Sequence, residues 1–167
     1  LVFHGPSRPA YSGALRNTLE WKGISLSANI SYRLGYYFRR ASVNYTSLLR
    51  GIYSHGDYAF RWQKSGDEQF TSIPSIPAAV NSNRDQLYLY SEALVEKGDH
   101  IRLQDINLSY EFTRAKFPKL PFSNAKLYIY ANNLGLMWQA NKSGLDPDYQ
   151  SGPPPKTIAA GLMIDFK

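Results

Sequence analysis

Hydrophobic and polar residues alternate along five stretches of the chain. From Ile24 to Leu34, every even-numbered residue is apolar and every odd-numbered residue is polar. A period of two is typical of a β-strand that has one apolar and one polar face. The same pattern predicts strands near residues 13–21, 24–34, 100–112, 125–133 and 157–166. These segments are longer than the usual globular strand of about 5–6 residues.

The connections between the predicted strands are alternately short and long. Residues 22–23 form a tight turn and residues 113–124 a compact one, whereas 35–99 and 134–156 are long. In an antiparallel sheet, both long connections leave the same end. Loops of more than about 15 residues are uncommon in compact domains and usually carry function.

This asymmetry favours a membrane-spanning β-barrel. Outer-membrane barrels combine short turns on one side, long loops on the other, and strands of about 10 residues that alternate apolar and polar. The alternative is a soluble β-sandwich, whose strands are shorter and whose loop lengths have no reason to segregate. We therefore predict an all-β, antiparallel transmembrane barrel portion with two long extracellular loops.

Composition changes this interpretation little. Mean hydropathy is −0.40, which alone would suggest a soluble protein, but half-polar strands and polar loops give the same value. The absence of cysteine excludes a disulfide scaffold, a zinc ribbon and thiol catalysis. Aromatic residues make up 14% of the chain and charged residues only 19%, against about 25% charged in an average domain.

Catalysis finds no support in the sequence. The three histidines, His4, His55 and His100, lie in predicted loops or at a loop–strand junction, without the helical spacing of a metal site. Nucleophile-elbow, phosphate-loop and dinucleotide-binding motifs are missing. We expect no enzyme activity, no cofactor and no metal.

Two weaker possibilities concern charged residues. Asp146 and Asp148, with Asp57 and Asp67 elsewhere, carry the oxygen ligands of a loop calcium site, but aspartates beside a proline are more typical of turns. The net charge of +6 is spread along the chain rather than gathered into a stripe, so we expect no nucleic-acid partner. Contact with outer-membrane lipid and lipopolysaccharide accounts for the basic residues equally well.

Aromatic residues cluster near the ends of the predicted strands. Amphipathic rings favour the membrane–water interface, which predicts an aromatic girdle of Trp21, Phe112 and Phe166 at the short-turn end and of Tyr32, Tyr36 and Tyr37 at the long-loop end. Trp62 and Trp138, in the two long connections, are candidate ligand contacts that could stack on sugar faces. Structural anchoring of the loops is the alternative role for both.

Several short motifs occur in a fixed order. They are GALRNTL at 13–19 followed by WKG at 21–23, RWQKSGDE at 61–68, GDHIRLQDINLSY at 98–110, NNL at 132–134 followed by LDPD at 145–148, and the alternating strand 157–166. In this order they resemble the C-terminal end of a SusC/RagA-type TonB-linked (TonB-dependent) outer-membrane protein of Bacteroidetes. Ser65 stands where that family usually has proline.

The resemblance implies a larger assembly. It identifies residues 1–167 as about five C-terminal strands of a 22-stranded barrel, with the N-terminal plug domain absent from this chain. The remainder of the same barrel would then be a partner, since five strands cannot close a barrel. Further implied partners are a SusD-like surface lipoprotein that caps the barrel and TonB, which acts through the absent N-terminal region.

The function implied by the resemblance is import of glycans or peptides across the outer membrane of a Gram-negative bacterium. Two alternatives remain open from the sequence. One is a SusC-like barrel that serves as a structural scaffold in a larger outer-membrane complex. The other, less favoured, is a soluble all-β carbohydrate-binding module.

Overall fold

The chain forms two compact units. The structure, a computed structural model, describes residues 2–119 and 121–166. The first unit consists of residues 2–5 and Tyr37–Lys97, and the second of Pro6–Tyr36 and residues 98–166. In chain order the strands are β1 (Tyr11–Trp21), β2 (Ile24–Leu34), β3 (Tyr37–Arg39), β4 (Val95–Lys97), β5 (His100–Thr113), β6 (Asn124–Gln139) and β7 (Thr157–Asp165), and the α-helices are α1 (Tyr45–Leu49) and α2 (Ser82–Leu89).

The second unit is a single antiparallel sheet with strand order β1-β2-β5-β6-β7. The all-β, antiparallel fold class is therefore confirmed. Four strands begin and end within two residues of the bounds that the alternation predicts. β6 is the exception, because it continues to Gln139 into the segment predicted to be a loop.

The hairpin between β1 and β2 turns on Lys22 and Gly23. Both residues have positive φ, 48° and 91°, as the two central residues of a type I′ turn require. This turn sets a register in which Trp21 pairs with Ile24 and every later residue of β2 has its partner, up to Tyr11 with Leu34. The chain leaves β2 and enters β5 at the opposite end, which is also the end at which it leaves β6 and enters β7.

One irregularity in β5 shifts the alternation by a residue. Ala28 pairs with Ile106, but Ile30 pairs with Leu103. The backbone therefore carries an extra residue in β5 over this short stretch, as in a β-bulge. Because of it, Ile101 and Leu103 share a face with Ile106 even though their numbers are odd.

Residues 35–99, predicted as a long connection, contain strands and helices of their own in the first unit. Strands β3 and β4 pair, and three short 3-10 helices join α1 and α2 in the same unit: Gly56–Phe60, Asp67–Gln69 and Glu92–Leu94. Its buried core consists of Val43, Tyr45, Ile73, Tyr88 and Leu94. A core of its own makes most of this segment a folded element.

Two carboxylates, one buried and one half-buried, link elements of this first unit. Asp85 accepts hydrogen bonds from the backbone N–H and the hydroxyl of Thr46, both at 2.6 Å, and so ties α2 to α1. Asp57 accepts bonds of 2.5 Å from Arg40 and from Ser42. Burial raises the pKa of Asp57, but the bonds from Ser42 and Arg40 outweigh burial and lower the pKa below its ordinary value.

Both outer strands of the sheet have one open edge. Within the described residues, β1 pairs only with β2 and β7 only with β6. A long open edge presents unpaired N–H and C=O groups that attract a further strand. Among the described residues, no helix is long and apolar enough to cross a membrane.

Candidate functional site

The sheet of the second unit has two chemically distinct faces. One, here called the apolar face, carries large hydrophobic side chains from every strand, and most of them are exposed. Its members include Leu15, Leu19, Ile24, Leu26, Ile30, Ile106, Leu108, Leu127, Ile129, Ile158 and Leu162. The other, here called the polar face, carries serine, asparagine and charged side chains. An exposed apolar surface that crosses five strands is far beyond what a soluble monomer normally leaves in water.

Aromatic side chains border the apolar face at both ends. At the short-turn end, the pairs Trp21–Ile24 and Ile24–Tyr110 place Trp21 and Tyr110 in one row across the strands. At the other end, Tyr32 pairs with Ile101, which pairs with Trp138. The rows lie eight residues apart along β2, about 27 Å of strand, or roughly 20 Å in height at a tilt of 35–45°.

Four of the predicted girdle residues belong to this surface or its margin. Trp21, Tyr32 and Phe112 lie on the apolar face, and Phe166 follows the end of β7, where it is 77% exposed. The ring of Tyr32 lies over Gly13 of β1, where a Cβ would come within 2.7 Å of the tyrosine hydroxyl. The glycine therefore allows Tyr32 to lie flat against its neighbouring strand.

Two predicted girdle residues lie elsewhere. Tyr36 is buried, with only 6% of its surface exposed, and its hydroxyl lies 3.3 Å from Nδ1 of His100. Tyr37 belongs to β3 in the first unit, where its ring lies 6.0 Å from that of His4. Neither ring belongs to the apolar face, because the chain turns out of β2 at Gly35, where φ is +75°.

Hydrogen bonds connect side chains of neighbouring strands on the polar face. Asp105 of β5 is buried and accepts bonds of 3.0 Å from Arg16 of β1 and from Asn29 of β2. Gln104 donates a bond of 2.7 Å to the hydroxyl of Ser31. Charge pairing of this kind suits a face that contacts water or other protein, since an isolated buried carboxylate is costly.

A cluster of charged side chains, here called the loop anchor, lies at the long-connection end of the polar face. Arg102 donates bonds of 2.6 and 2.7 Å to the two carboxylate oxygens of Asp146. Asp148 accepts a bond of 2.7 Å from Arg33, and its second oxygen lies 3.3 Å from Nε2 of His100. The loop anchor thus fastens the connection between β6 and β7 to the ends of β2 and β5.

Tyr36 completes the loop anchor. Nδ1 of His100 faces both its hydroxyl and the carbonyl oxygen of Gly98, the latter at 2.8 Å. Burial, followed by the negative charge of Asp148, raises the pKa of Tyr36 to about 12. Both effects disfavour a phenolate, so the ring stays neutral and available for hydrogen bonding over the whole physiological range.

The calcium alternative for the aspartates is not supported. Asp146 and Asp148 already bind two arginines and a histidine, and Asp57 binds Arg40. Asp67 lies in the first unit, where the backbone N–H groups of Gln63 and Lys64 donate to its carboxylate and lower its pKa. Among the described residues, no three metal-binding side chains form a group that could hold an ion.

The two candidate ligand contacts lie in different settings. Trp62 is in the first unit, where its indole N–H donates to the carbonyl of Lys64 and its backbone N–H to that of Ile73. Trp138 is on the apolar face, in the same row as Tyr32. The two hydrogen bonds of Trp62 within the first unit therefore explain its position as a structural contact. The position of Trp138 fits the aromatic border better than a ligand site.

Sequence reasoning missed the loop anchor, although one signal was present. The apolar positions in β5 change from 101 and 103 to 106 and 108, a slip of one residue. Such a slip places His100 and Arg102 on the polar face with Asp105, as the register shows. Their partners Asp146 and Asp148 are more than 40 residues away, so sequence spacing alone does not reveal them.

Comparison with solved structures identifies the same fold in three structures of the RagAB peptide importer. In its "open-open" state the match covers 98% of this chain at 20% identity, with a TM-score of 0.66. A second structure of the RagAB transporter gives 0.66 and the "closed-closed" state gives 0.67, each covering 97% of this chain at 20% identity. The chain spans only 18% of those chains. No protein-family model and no curated protein matches the sequence.

The loop anchor predicts that removal of Arg102 releases the connection between β6 and β7. In Arg102→Met, Asp146 loses its guanidinium partner and stays close to Asp148, and breaking a buried ion pair in this way costs about 3–5 kcal/mol. We expect backbone hydrogen exchange in residues 141–152 to accelerate at least tenfold. The exposed Arg8 supplies the control, since Arg8→Met should leave this exchange unchanged. Equal exchange in both variants would contradict the anchor.

The raised pKa of Tyr36 predicts a late step in an alkaline titration. The ordinary tyrosine pKa is about 10 and that of Tyr36 is about 12, so the folded state retains this proton longer than the unfolded state. The stabilisation is fully present below pH 10 and is lost as pH rises towards 12. The tyrosinate absorbance of the wild type minus that of Tyr36→Phe should rise with a midpoint near 12. A midpoint near 10 would show that the hydroxyl is not held in the buried cluster.

Proposed function

We propose that this chain supplies five neighbouring strands to the wall of an outer-membrane β-barrel in a SusC/RagA-type, TonB-dependent transporter. The observation that carries the proposal is the continuous apolar face of the sheet, bordered by aromatic rows at both ends. In water, each large side chain left exposed forgoes about 1.5–3 kcal/mol of burial. In a bilayer the same surface contacts hydrocarbon.

The open edges of the sheet support the same proposal. Backbone groups that face hydrocarbon find no water to bind, and each unsatisfied group costs several kcal/mol. β1 and β7 therefore need neighbouring strands, and the remainder of the same barrel provides them. The fold likeness to part of the RagAB peptide importer supports a chain in which this sheet is one section of a larger wall.

The direction of the sheet follows from its connections. Outer-membrane barrels keep short turns on the periplasmic side and long loops outside the cell. The turns at residues 22–23 and 114–123 are then periplasmic. We infer that the first unit and the connection held by the loop anchor are extracellular.

The proposed activity is energy-dependent import of peptides or glycans, with a SusD-like surface lipoprotein as lid and TonB as the source of force. The relation to a peptide importer favours peptides as the first class to test. In this activity the chain contributes wall and extracellular surface rather than catalytic groups. The polar face would line the interior of the barrel.

The transport step can be tested in cells that produce the full-length protein. We expect accumulation of fluorescent oligopeptides or oligosaccharides that stops when TonB is removed, because the pull on the plug requires it. Binding of either class at the surface without accumulation, together with stable co-purification of other outer-membrane proteins, would instead support the scaffold alternative. Accumulation that persists without TonB would contradict the proposed mechanism.

The membrane placement predicts opposite outcomes for two adjacent residues of β1. Leu15 lies on the apolar face and Ala14 on the polar face. Leu15 pairs with Ile30, midway between the centre of the hydrocarbon band and the aromatic border. Leu15→Lys should therefore destabilise the inserted protein by about 1–2 kcal/mol, less than a cation at the midplane would, whereas Ala14→Lys should be tolerated. Folded protein extracted from outer membranes by detergent provides the measurement. Equal yields of both variants, or recovery of the wild type without detergent, would support the soluble alternative.

A further inference from the structure

We propose that the periplasmic end of the apolar face holds a specific site for an anionic phospholipid, formed by β2, β5, β6 and the turn between β5 and β6. This inference rests on the proposed membrane placement and goes beyond it, because general contact with lipid requires no defined pocket. The site combines an apolar groove for an acyl chain with lysines placed for a phosphodiester group.

The acyl-chain part is a groove of about 250 Å³ on the apolar face. Its apolar walls are Ile24 of β2, Leu108 and Tyr110 of β5, and Leu127 and Ile129 of β6. All three strands have both of their neighbours in the sheet. The groove is therefore complete without any strand from the rest of the barrel, and hydrocarbon is the chemistry that fits its lining.

An aromatic ladder connects the groove to the end of the sheet. The ring of Tyr110 meets that of Phe112 edge-on, with centroids 4.7 Å apart, and Phe112 lies 5.7 Å from Phe117 in the turn. Rings of this kind favour the zone where lipid chains join their headgroups. The ladder thus leads from the hydrocarbon-like groove towards the periplasmic surface.

The headgroup part is a recess of about 410 Å³ in the turn, lined by Lys116, Phe117, Pro118 and Lys119. In the neighbouring hairpin turn, Nζ of Lys22 lies 5.0 Å from the centre of the Trp21 ring, which belongs to the apolar face. Lysine stems bury along apolar surface while their ammonium groups remain at the headgroup level. Three cations at one end of an apolar groove complement a negatively charged lipid.

Two of these lysines also approach acidic residues, in a recess on the polar face of the sheet. Glu20 and Glu111 line this recess together with Lys22 and Lys116, and Glu111 accepts a hydrogen bond from Asn124. Lys119 does not line that recess. Within the described residues, none of Lys22, Lys116 and Lys119 forms an ion pair, so no carboxylate neutralises them at ion-pair distance.

The test uses the full-length protein, purified in detergent and titrated with phosphatidylglycerol or with phosphatidylcholine of the same chains. Native mass spectrometry counts the lipids retained. We expect tighter retention of phosphatidylglycerol than of phosphatidylcholine. Binding of phosphatidylglycerol should be about 30-fold weaker in Lys116→Gln/Lys119→Gln, because each lysine contributes about 1 kcal/mol of attraction for anionic lipid. Lys156→Gln, at the opposite end of the sheet, is the matched control and should bind as the wild type does.

A second pair of variants tests the groove independently of charge. Ile129→Trp fills the groove and should weaken phosphatidylglycerol binding, whereas Leu15→Trp adds the same ring to the apolar face outside the groove and should not. Equal retention of both lipids, or equal effects within either pair of variants, would overturn the lipid site. A protein that remains soluble without detergent would instead refute the membrane placement itself, so the two failures are distinguishable.

Discussion

Hydrogen bonding of the backbone is the constraint on which the rest of the sheet depends. Each strand can place its side chains on only two faces, and the pairing register decides which residues share a face. The register runs without interruption from Tyr11 with Leu34 to Trp21 with Ile24. Once it is set, the apolar face, its aromatic borders and the polar network around Asp105 follow together. Under the proposed membrane placement this pairing is obligatory, because hydrocarbon offers the backbone no alternative partner.

The irregularity in β5 shows how the sheet keeps charge off its apolar face. Between Ile106 and Phe112 the even-numbered residues are apolar, so an uninterrupted strand would also place His100 and Arg102 there. The extra residue near Asp105 turns both side chains to the polar face. Both residues lie near the aromatic border, where a cation on the lipid face costs about 0–1 kcal/mol, and the bulge avoids this cost. The bulge also directs the side chains of His100 and Arg102 towards Asp146 and Asp148. The same extra residue therefore keeps charge off the apolar face and places the cations of the loop anchor.

The sequence predicts the features that neighbouring residues determine, and it does not predict those that depend on contacts between residues far apart in the chain. The bounds of β2 follow from its alternation alone, and the turn at residues 22–23 follows from Gly23, which accepts positive φ. The first unit escaped prediction because Val43, Ile73 and Leu94 show no period and meet only through tertiary packing. The loop anchor is not predicted for the same reason. The sequence places Tyr36 at the membrane border only because it follows β2 closely. The reversal of the chain at Gly35, which removes Tyr36 from that face, leaves no periodic signal.

The loop anchor links the order of an extracellular segment to the register of the wall. The connection between β6 and β7 is held by Arg33 of β2 and by His100 and Arg102 of β5, and Arg33 pairs with His100 across those two strands. A slip of one residue between β2 and β5 would turn half of these side chains to the other face. The same slip would expose serines and asparagines to hydrocarbon. The membrane pattern and the loop contacts therefore select one register, and agreement between independent requirements is what makes a single structure dominant.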